Sequence, residues 1–169
     1  MNGDLHKIAL AIGSNVGDRM AALRAAVTGL APYMAVTHIS PVYETAAAYV
    51  TDQPAFLNAA LMGTTKLEPL ALLKALKNLE SEIGREVTFR YGPRVLDIDI
   101  LFYDDQVLES PELTLPHPRM AEREFVLLPL ADIVADWKHP QSGLTVAEML
   151  DRVETSNPKC LGALIPDAA

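Results

Sequence analysis

An α+β sandwich, a mainly antiparallel sheet with helices on one face, is the fold class the chain predicts. Three observations carry it. Short runs of strand length, "KIALAIG", "AFLNAALMGTT" and "VLDIDILF", are separated by two longer stretches of helical character. The connections are short, and the order β-α-β-β-α-β is that of a ferredoxin-like arrangement. No repeat, low-complexity run or linker divides the 169 residues, a length suited to one domain with a substantial core.

The elements follow in order. "KIALAIG" is an apolar run ending at Gly13, which suits a central strand. "SNVGDRMAALRAAVTGLAPY" reads as a loop and then an alanine- and leucine-rich helix, with Asp18 as its cap and Gly29 and Pro32 marking its end. "AVTHISPVYET" has the β-branched content of a strand, with Pro41 pointing to an edge or a bulge. Residues 46–54 read as an exposed loop before the strand "AFLNAALMGTT". In "LEPLALLKALKNLESEIGRE", Leu70, Leu73, Leu76, Leu79 and Ile83 recur at spacings of three and four, and Gly84 supplies the stop. The loop "EVTFRYGPR" leads into "VLDIDILF"; "DDQ" turns the chain towards a second short strand around Val107. "LTLPHPRMAEREF" is expected to be irregular, followed by a short helix over residues 126–135 and a final amphipathic helix in "SGLTVAEMLDRV". Residues 1–153 are expected to form the single domain, with 154–169 as a loosely held tail.

Half the residues are apolar and 21% are charged, an ordinary soluble composition. A net charge of −8 argues against nonspecific binding to nucleic acid or an anionic membrane, while leaving room for a local anion site. No window approaches the ~20 apolar residues of a membrane span. The lone Cys160 has no internal disulfide partner, and the first residues lack a signal-peptide pattern, so a cytoplasmic location is expected.

The chemistry concentrates in "RYGPRVLDIDILFYDD", residues 90–105. Strand alternation sends Leu96, Ile98, Ile100 and Phe102 onto the helices, and Asp97, Asp99, Leu101 and Tyr103 onto the face the helices leave open. The two aspartates then lie ~6.6 Å apart along the strand, close enough to converge on one cation or on two cations ~3.5–4 Å apart. Hard oxygen ligands favour magnesium held jointly with phosphates. Five of the eight arginines, Arg85, Arg90, Arg94, Arg119 and Arg123, fall between 85 and 123, where no lysine occurs. Guanidinium beside an acidic pair suits metal-bound polyphosphate; surface Arg–Asp salt bridging fits the same pattern. The usual phosphate signatures are absent: there is no G-x-x-x-x-G-K-[ST], and "IGSNVGD" is not G-x-G-x-x-G, so Gly13, Ser14 and Asn15 read as a tight strand-to-helix turn. No Ser/His/Asp or Cys/His nucleophile set is visible, and four scattered histidines make no zinc site.

"RYGPRVLDIDIL", together with "AIGSNVGD", "VYET", "DQPAFLNAA", "LESEIGR" and "LPHPRMAEREFVLLPL" in this order, resembles the 6-hydroxymethyl-7,8-dihydropterin pyrophosphokinase family over residues 8–137. The resemblance implies transfer of the β,γ-diphosphate of ATP to the pterin hydroxymethyl group, with release of AMP, in folate biosynthesis. It implies two Mg2+ ions bound with ATP by Asp97 and Asp99. Matching positions imply catalytic roles for Arg94 and Arg123 as phosphate ligands, ATP contacts from Glu80, His117 and the Ile98 backbone, and a pterin site of Phe56, Phe125, Asn58 and the backbones of Thr45 and Ala48. Phe56 and Phe125 would sandwich the ring, and the Asn58 amide, which both donates and accepts, would read its edge. A monomer is expected.

Several positions depart from the better-known bacterial pattern: Ala46 and Ala47 replace prolines, Phe56 a tyrosine, Tyr91 a tryptophan, Pro118 a tyrosine and Glu112 an arginine, and the 86–90 loop is one residue shorter. Two other readings stay open. One is a non-catalytic ligand-sensing module, against which the acids on the open face count, because sheet pairing would bury them. The other is a nucleotidyltransferase using the same D-x-D logic, which would release pyrophosphate.

Overall fold

The computed structural model describes residues 4–15, 17–45, 55–84 and 95–164. Strand β1 (His6–Ser14) is flanked on both sides by antiparallel neighbours, β5 (Asp97–Tyr103) and β4 (Phe56–Thr65). Its apolar run is dictated by that position: Ile8, Ala9, Leu10 and Ile12 are buried on both faces of the sheet. The stretch that reads as one strand is two, β2 (Ala35–Ile39) and β3 (Pro41–Thr45), both pairing with β4. They divide at Ser40, whose hydroxyl accepts from the Ala60 N–H at 2.8 Å. Pro41, which has no N–H to donate, opens β3. Strand β8 (Lys159–Ala163) adds to the outer edge of β3, giving the order β5-β1-β4-β3-β8. The tail expected to be loosely held therefore contains a sheet strand, and Leu164 behind it is buried.

Helix α1 (Arg19–Gly29) starts where expected, with the Asp18 carboxylate accepting from the Ala21 N–H at 3.0 Å. Helix α2 (Pro69–Gly84) begins on proline, whose fixed φ and missing N–H suit the first helical turn. Its buried stripe is Leu72, Ala75, Leu76 and Leu79, with Leu73 and Ile83 half-buried. Leu70, expected on that stripe, is 46% exposed, because the stripe begins one turn into the helix on Leu72 instead. Two-residue strands β6 (Leu108–Glu109) and β7 (Thr114–Leu115) pair with each other, and Val107 stays exposed outside them. The proline-containing stretch carries β7 and a 3-10 turn at Met120–Glu122 before helix α3 (Glu124–Val134). Helix α4 (Val146–Asp151) is one short piece of the final amphipathic stretch, held by a capping box between Thr145 and Glu148.

Helices α1 and α2 form the expected layer, packing on Ile8, Leu10, Ile12, Leu57, Leu61, Ile98 and Ile100. The other face has a cover of its own: α3 and α4 pack on Ala9, Ala60, Leu101 and Phe102. Small residues on that face let α3 approach the sheet.

A β-bulge corrects the strand alternation expected for β5. Ala9 pairs with Phe102 and Leu10 with Ile100, so Leu101 is the extra residue. Beyond it the faces exchange. Phe102 turns away from the α1–α2 layer and stacks on Trp137, centroids 4.9 Å apart. Tyr103 enters that layer, donating its hydroxyl hydrogen to the Leu67 carbonyl at 2.6 Å. No helix among the described residues is long and apolar enough to cross a membrane.

Candidate active site

The pairing register draws one line across the sheet: Asp97 opposite Gly13, Gly13 opposite Asn58, Asn58 opposite Tyr43. Directly opposite residues point to the same face, so these four share the α3 side. Asp99, two residues on from Asp97, stands opposite Ala11 on the same face. Both aspartates are half-buried, while Ile98 and Ile100 between and beyond them are buried on the α1–α2 side. The alternation expected for Leu96 to Ile100 therefore holds up to the bulge.

The bulge also shapes the site. The Leu101 carbonyl accepts the His117 N–H at 3.0 Å, which holds His117 against the strand carrying the aspartates. The His117 Nδ1 accepts from the Arg119 N–H at 3.2 Å, leaving Nε2 as the protonated nitrogen of the neutral ring. Burial pushes the His117 pKa down; the Asp99 carboxylate opposes this, and Arg123 and Arg119 reinforce it. Those influences place His117, Asp99 and Arg123 in one electrostatic neighbourhood.

Arg123 occupies the N-cap position of α3 with extended backbone, and its guanidinium lies 5.5 Å from the centroid of the Phe125 ring. A cation at a helix N-terminus works against the helix dipole, so its placement there is not a device for helix stability. Across the face, Phe56 opens β4 and, like Phe125, is half-buried. Asn58 is only 7% exposed, and its Nδ2 donates to the Thr45 hydroxyl at 2.9 Å. Thr45, opposite Phe56 on the neighbouring strand, thus meets the amide through its side chain. The second Asn58 N–H and Oδ1 remain as one donor and one acceptor.

Gly13 explains why that amide fits. A Cβ at Gly13 would sit 2.8 Å from the Asn58 Oδ1, closer than carbon and oxygen tolerate. Gly13 lies within β1 rather than in the turn the sequence suggests, and its role is to leave space for Asn58.

Glu80 and Ile98 belong to the opposite side. The Glu80 carboxylate, on α2, accepts the Ile98 N–H at 2.6 Å. Because β5 ends the strand order, the Ile98 N–H points outward from the sheet edge, and its carbonyl shares that direction. Burial raises the Glu80 pKa above the usual carboxylate range, opposed by the Ile98 hydrogen bond and by Lys77, with Asp97 adding to the rise. Arg94, Ala48, Arg85, Arg90, Tyr91, Ala46 and Ala47 lie outside the described residues.

Arg19 also borders the site, although no motif in the sequence marks it. Its guanidinium Nη1 donates to the Glu44 carboxylate at 3.0 Å and to the Ala55 carbonyl at 2.7 Å, tying the end of β3 to the start of β4 beside Thr45 and Phe56. The available signal was a cation in the first helical turn, where the dipole disfavours one. Among the described residues no group of three or more His, Cys, Asp or Glu side chains could enclose a metal. Asp97 and Asp99 offer two hard carboxylates on one face, a donor set suited to a cation that takes its remaining oxygens from phosphate and water.

Residues 9–135 match the family model described as 7,8-dihydro-6-hydroxymethylpterin-pyrophosphokinase (HPPK). The chain is 46% identical over 126 residues to a Bacillus subtilis protein named 2-amino-4-hydroxy-6-hydroxymethyldihydropteridine pyrophosphokinase, covering 73% of this chain and 75% of that one. It is 50% identical over 130 residues to a folate synthesis bifunctional protein of Arabidopsis thaliana, covering 76% of this chain and 27% of the relative. The chain thus spans about a quarter of the length of the longer curated relatives it matches. The crystal structure of wild-type Plasmodium falciparum HPPK-DHPS shares the fold, with a TM-score of 0.71 at 15% identity over 88% of this chain and 44% of that one. The register that aligns Asp97, Gly13 and Asn58 and the match over residues 9–135 lead to the same place: the chain belongs to the 7,8-dihydro-6-hydroxymethylpterin-pyrophosphokinase family.

Proposed function

We propose that the chain transfers the β,γ-diphosphate of ATP, as one unit, to the hydroxymethyl oxygen of 6-hydroxymethyl-7,8-dihydropterin. The hydroxymethyl oxygen bonds to the β-phosphorus, the bond from that phosphorus to the α,β-bridging oxygen breaks, and AMP leaves. The hydroxyl proton passes to solvent. The observation that carries this reading is the cross-strand line from Asp97 through Gly13 to Asn58. Two strand spacings of ~4.8 Å put the carboxylates and the amide ~10 Å apart, a span that a hydroxymethyl group and a diphosphate can bridge.

Asp97 and Asp99 would hold Mg2+, two ions in the family's pattern, which neutralises the triphosphate and orients it for in-line displacement. Arg123 and the Nε2–H of His117 would bind the phosphoryl oxygens, with Arg94 assigned beside them by the resemblance alone. Phe125 and Phe56 would stack on the two faces of the pterin, and Asn58 would read its edge, steadied by Thr45. Ala48 is assigned to that edge by resemblance. The outward carbonyl of Ile98 would accept from the adenine amino group, and Glu80 would hold that backbone in place.

Chelation tests the metal role directly. Turnover is expected to stop in excess EDTA and to return on adding Mg2+. Turnover that persists in EDTA would remove the assignment of Asp97 and Asp99.

A further inference from the structure

The segment after α4 lies outside the residues matched by the family model, yet it touches both walls of the site. At one end, the Glu124 carboxylate accepts the backbone N–H and the hydroxyl of Ser156, each at 2.8 Å. Glu124 sits between Arg123 and Phe125, in the first turn of α3. At the other end, β8 pairs with β3, placing Cys160 opposite Tyr43 and Lys159 opposite Glu44, next to Thr45. One stretch of chain therefore joins the Phe125 wall to the Thr45–Phe56–Asn58 wall.

We propose that Glu124 and Ser156 are positioning residues, which set the distance between the Phe125 ring and the β3–β4 wall and thereby the affinity for a flat heterocycle. The inference rests on the pterin site described above. Helix α3 is secured to the sheet elsewhere: Asp132 accepts from the Tyr43 hydroxyl, eight residues along from Glu124. At 1.5 Å per residue that tie is ~12 Å away, so it does not fix the first turn. Val126 and Leu127 pack the inner side of the first turn on the sheet, and the two hydrogen bonds from Ser156 hold its outer side at Glu124, next to Phe125. Burial acts to raise the Glu124 pKa, but the Ser156 N–H and the Thr155 and Ser156 side chains outweigh it and leave it lowered. Stacking is steep in distance: a gap of about 0.5–1 Å forfeits a quarter to a half of a dispersion contact. A small drift of the first turn therefore costs pterin binding without touching a ligand atom.

The test measures KM for the pterin, KM for ATP and kcat in Ser156→Pro, which removes both donors, in Ser156→Ala, which removes one, and in Ser156→Thr, which keeps both. ATP affinity is measured separately, without pterin. Ser156→Pro is expected to raise the pterin KM about tenfold and Ser156→Ala about threefold, with ATP affinity changed less than twofold; Ser156→Thr restores the parent value. Unaltered pterin KM in Ser156→Ala overturns the proposal even if Ser156→Pro fails to fold. Equal losses for pterin and ATP also overturn it, since that is general loosening. A parent protein that makes no pterin-dependent AMP would instead overturn the proposed function, and this inference with it.

Discussion

Replacing Gly13 by alanine tests the geometry of the proposed pterin edge at one atom. The new Cβ would lie 2.8 Å from the Asn58 Oδ1, with the Leu57 carbonyl at 3.6 Å and the Phe56 ring at 3.8 Å, so only Asn58 has to move. Moving it breaks the 2.9 Å bond from Nδ2 to Thr45. Loss of a hydrogen bond by a buried amide costs about 1–3 kcal/mol, and a strained rotamer adds about 0.5–1.5 kcal/mol. Alanine returns about 0.5–1 kcal/mol by stiffening the strand. The net expectation is destabilisation by about 1–3 kcal/mol, together with a loss of pterin affinity of about 10–100-fold as the amide leaves the ligand edge. Thermal unfolding and calorimetric titration with 6-hydroxymethylpterin, in the presence of Mg2+ and a non-hydrolysable ATP analogue, read the two effects. A double-mutant cycle sharpens them: Gly13→Ala should cost almost nothing further once Asn58 is alanine. Parent-like pterin affinity in folded Gly13→Ala, or additive losses in the double variant, would refute the link between the two residues.

Other expectations follow from the same face of the sheet. Asp97→Ala or Asp99→Ala should lower turnover by about 10³-fold or more while the protein still folds; near-normal rates in either would contradict the metal assignment. Phe125→Ala should weaken pterin binding about 10–100-fold and ATP binding far less, as equilibrium titrations would show. Glu80→Ala should cost about 1–3 kcal/mol by stranding the Ile98 N–H, whereas Glu80→Gln keeps an acceptor there. The Glu80 pKa is raised in the fold, so its contribution to stability is present in acid and is lost as pH rises through the raised value. Denaturant melts of Glu80→Gln against the parent should therefore diverge in favour of glutamine as pH rises above the ordinary carboxylate range; a constant difference would contradict the burial of that charge.

The acidic pair was legible from strand alternation, whereas Phe56, Asn58, Phe125, Glu80 and Ile98 look like ordinary core, strand or helix residues and were marked only by the family resemblance. Asp97 and Asp99 fall on one face by counting residues, and Arg123 and His117 stand out as charge and imidazole near a proline-rich turn. The bulge was not legible. Nothing in "DIDILFY" marks Leu101 as the extra residue, because Ile100, Leu101 and Phe102 are all apolar and satisfy either face. Its effect reaches the site, since the Leu101 carbonyl holds His117. β8 escaped for a related reason: residues 159–163 are exposed throughout, so no apolar alternation advertises a strand that is held through its backbone. Leu70 fitted the helical spacing as well as Leu72 does, and only packing against α1 and the sheet distinguishes them. Gly13 reads from sequence as a turn residue because the physical reason for it, the Asn58 amide 45 positions away, is tertiary.

Separation of the nucleotide products is the most direct test of the central claim. Protein, ATP and Mg2+ are incubated with and without 6-hydroxymethyl-7,8-dihydropterin, and the nucleotides and pterins are resolved. AMP is expected only when the pterin is present, matched mole for mole by a pterin diphosphate. ADP or pyrophosphate as the product would contradict the transfer of a β,γ-diphosphate, and AMP released without pterin would contradict the acceptor.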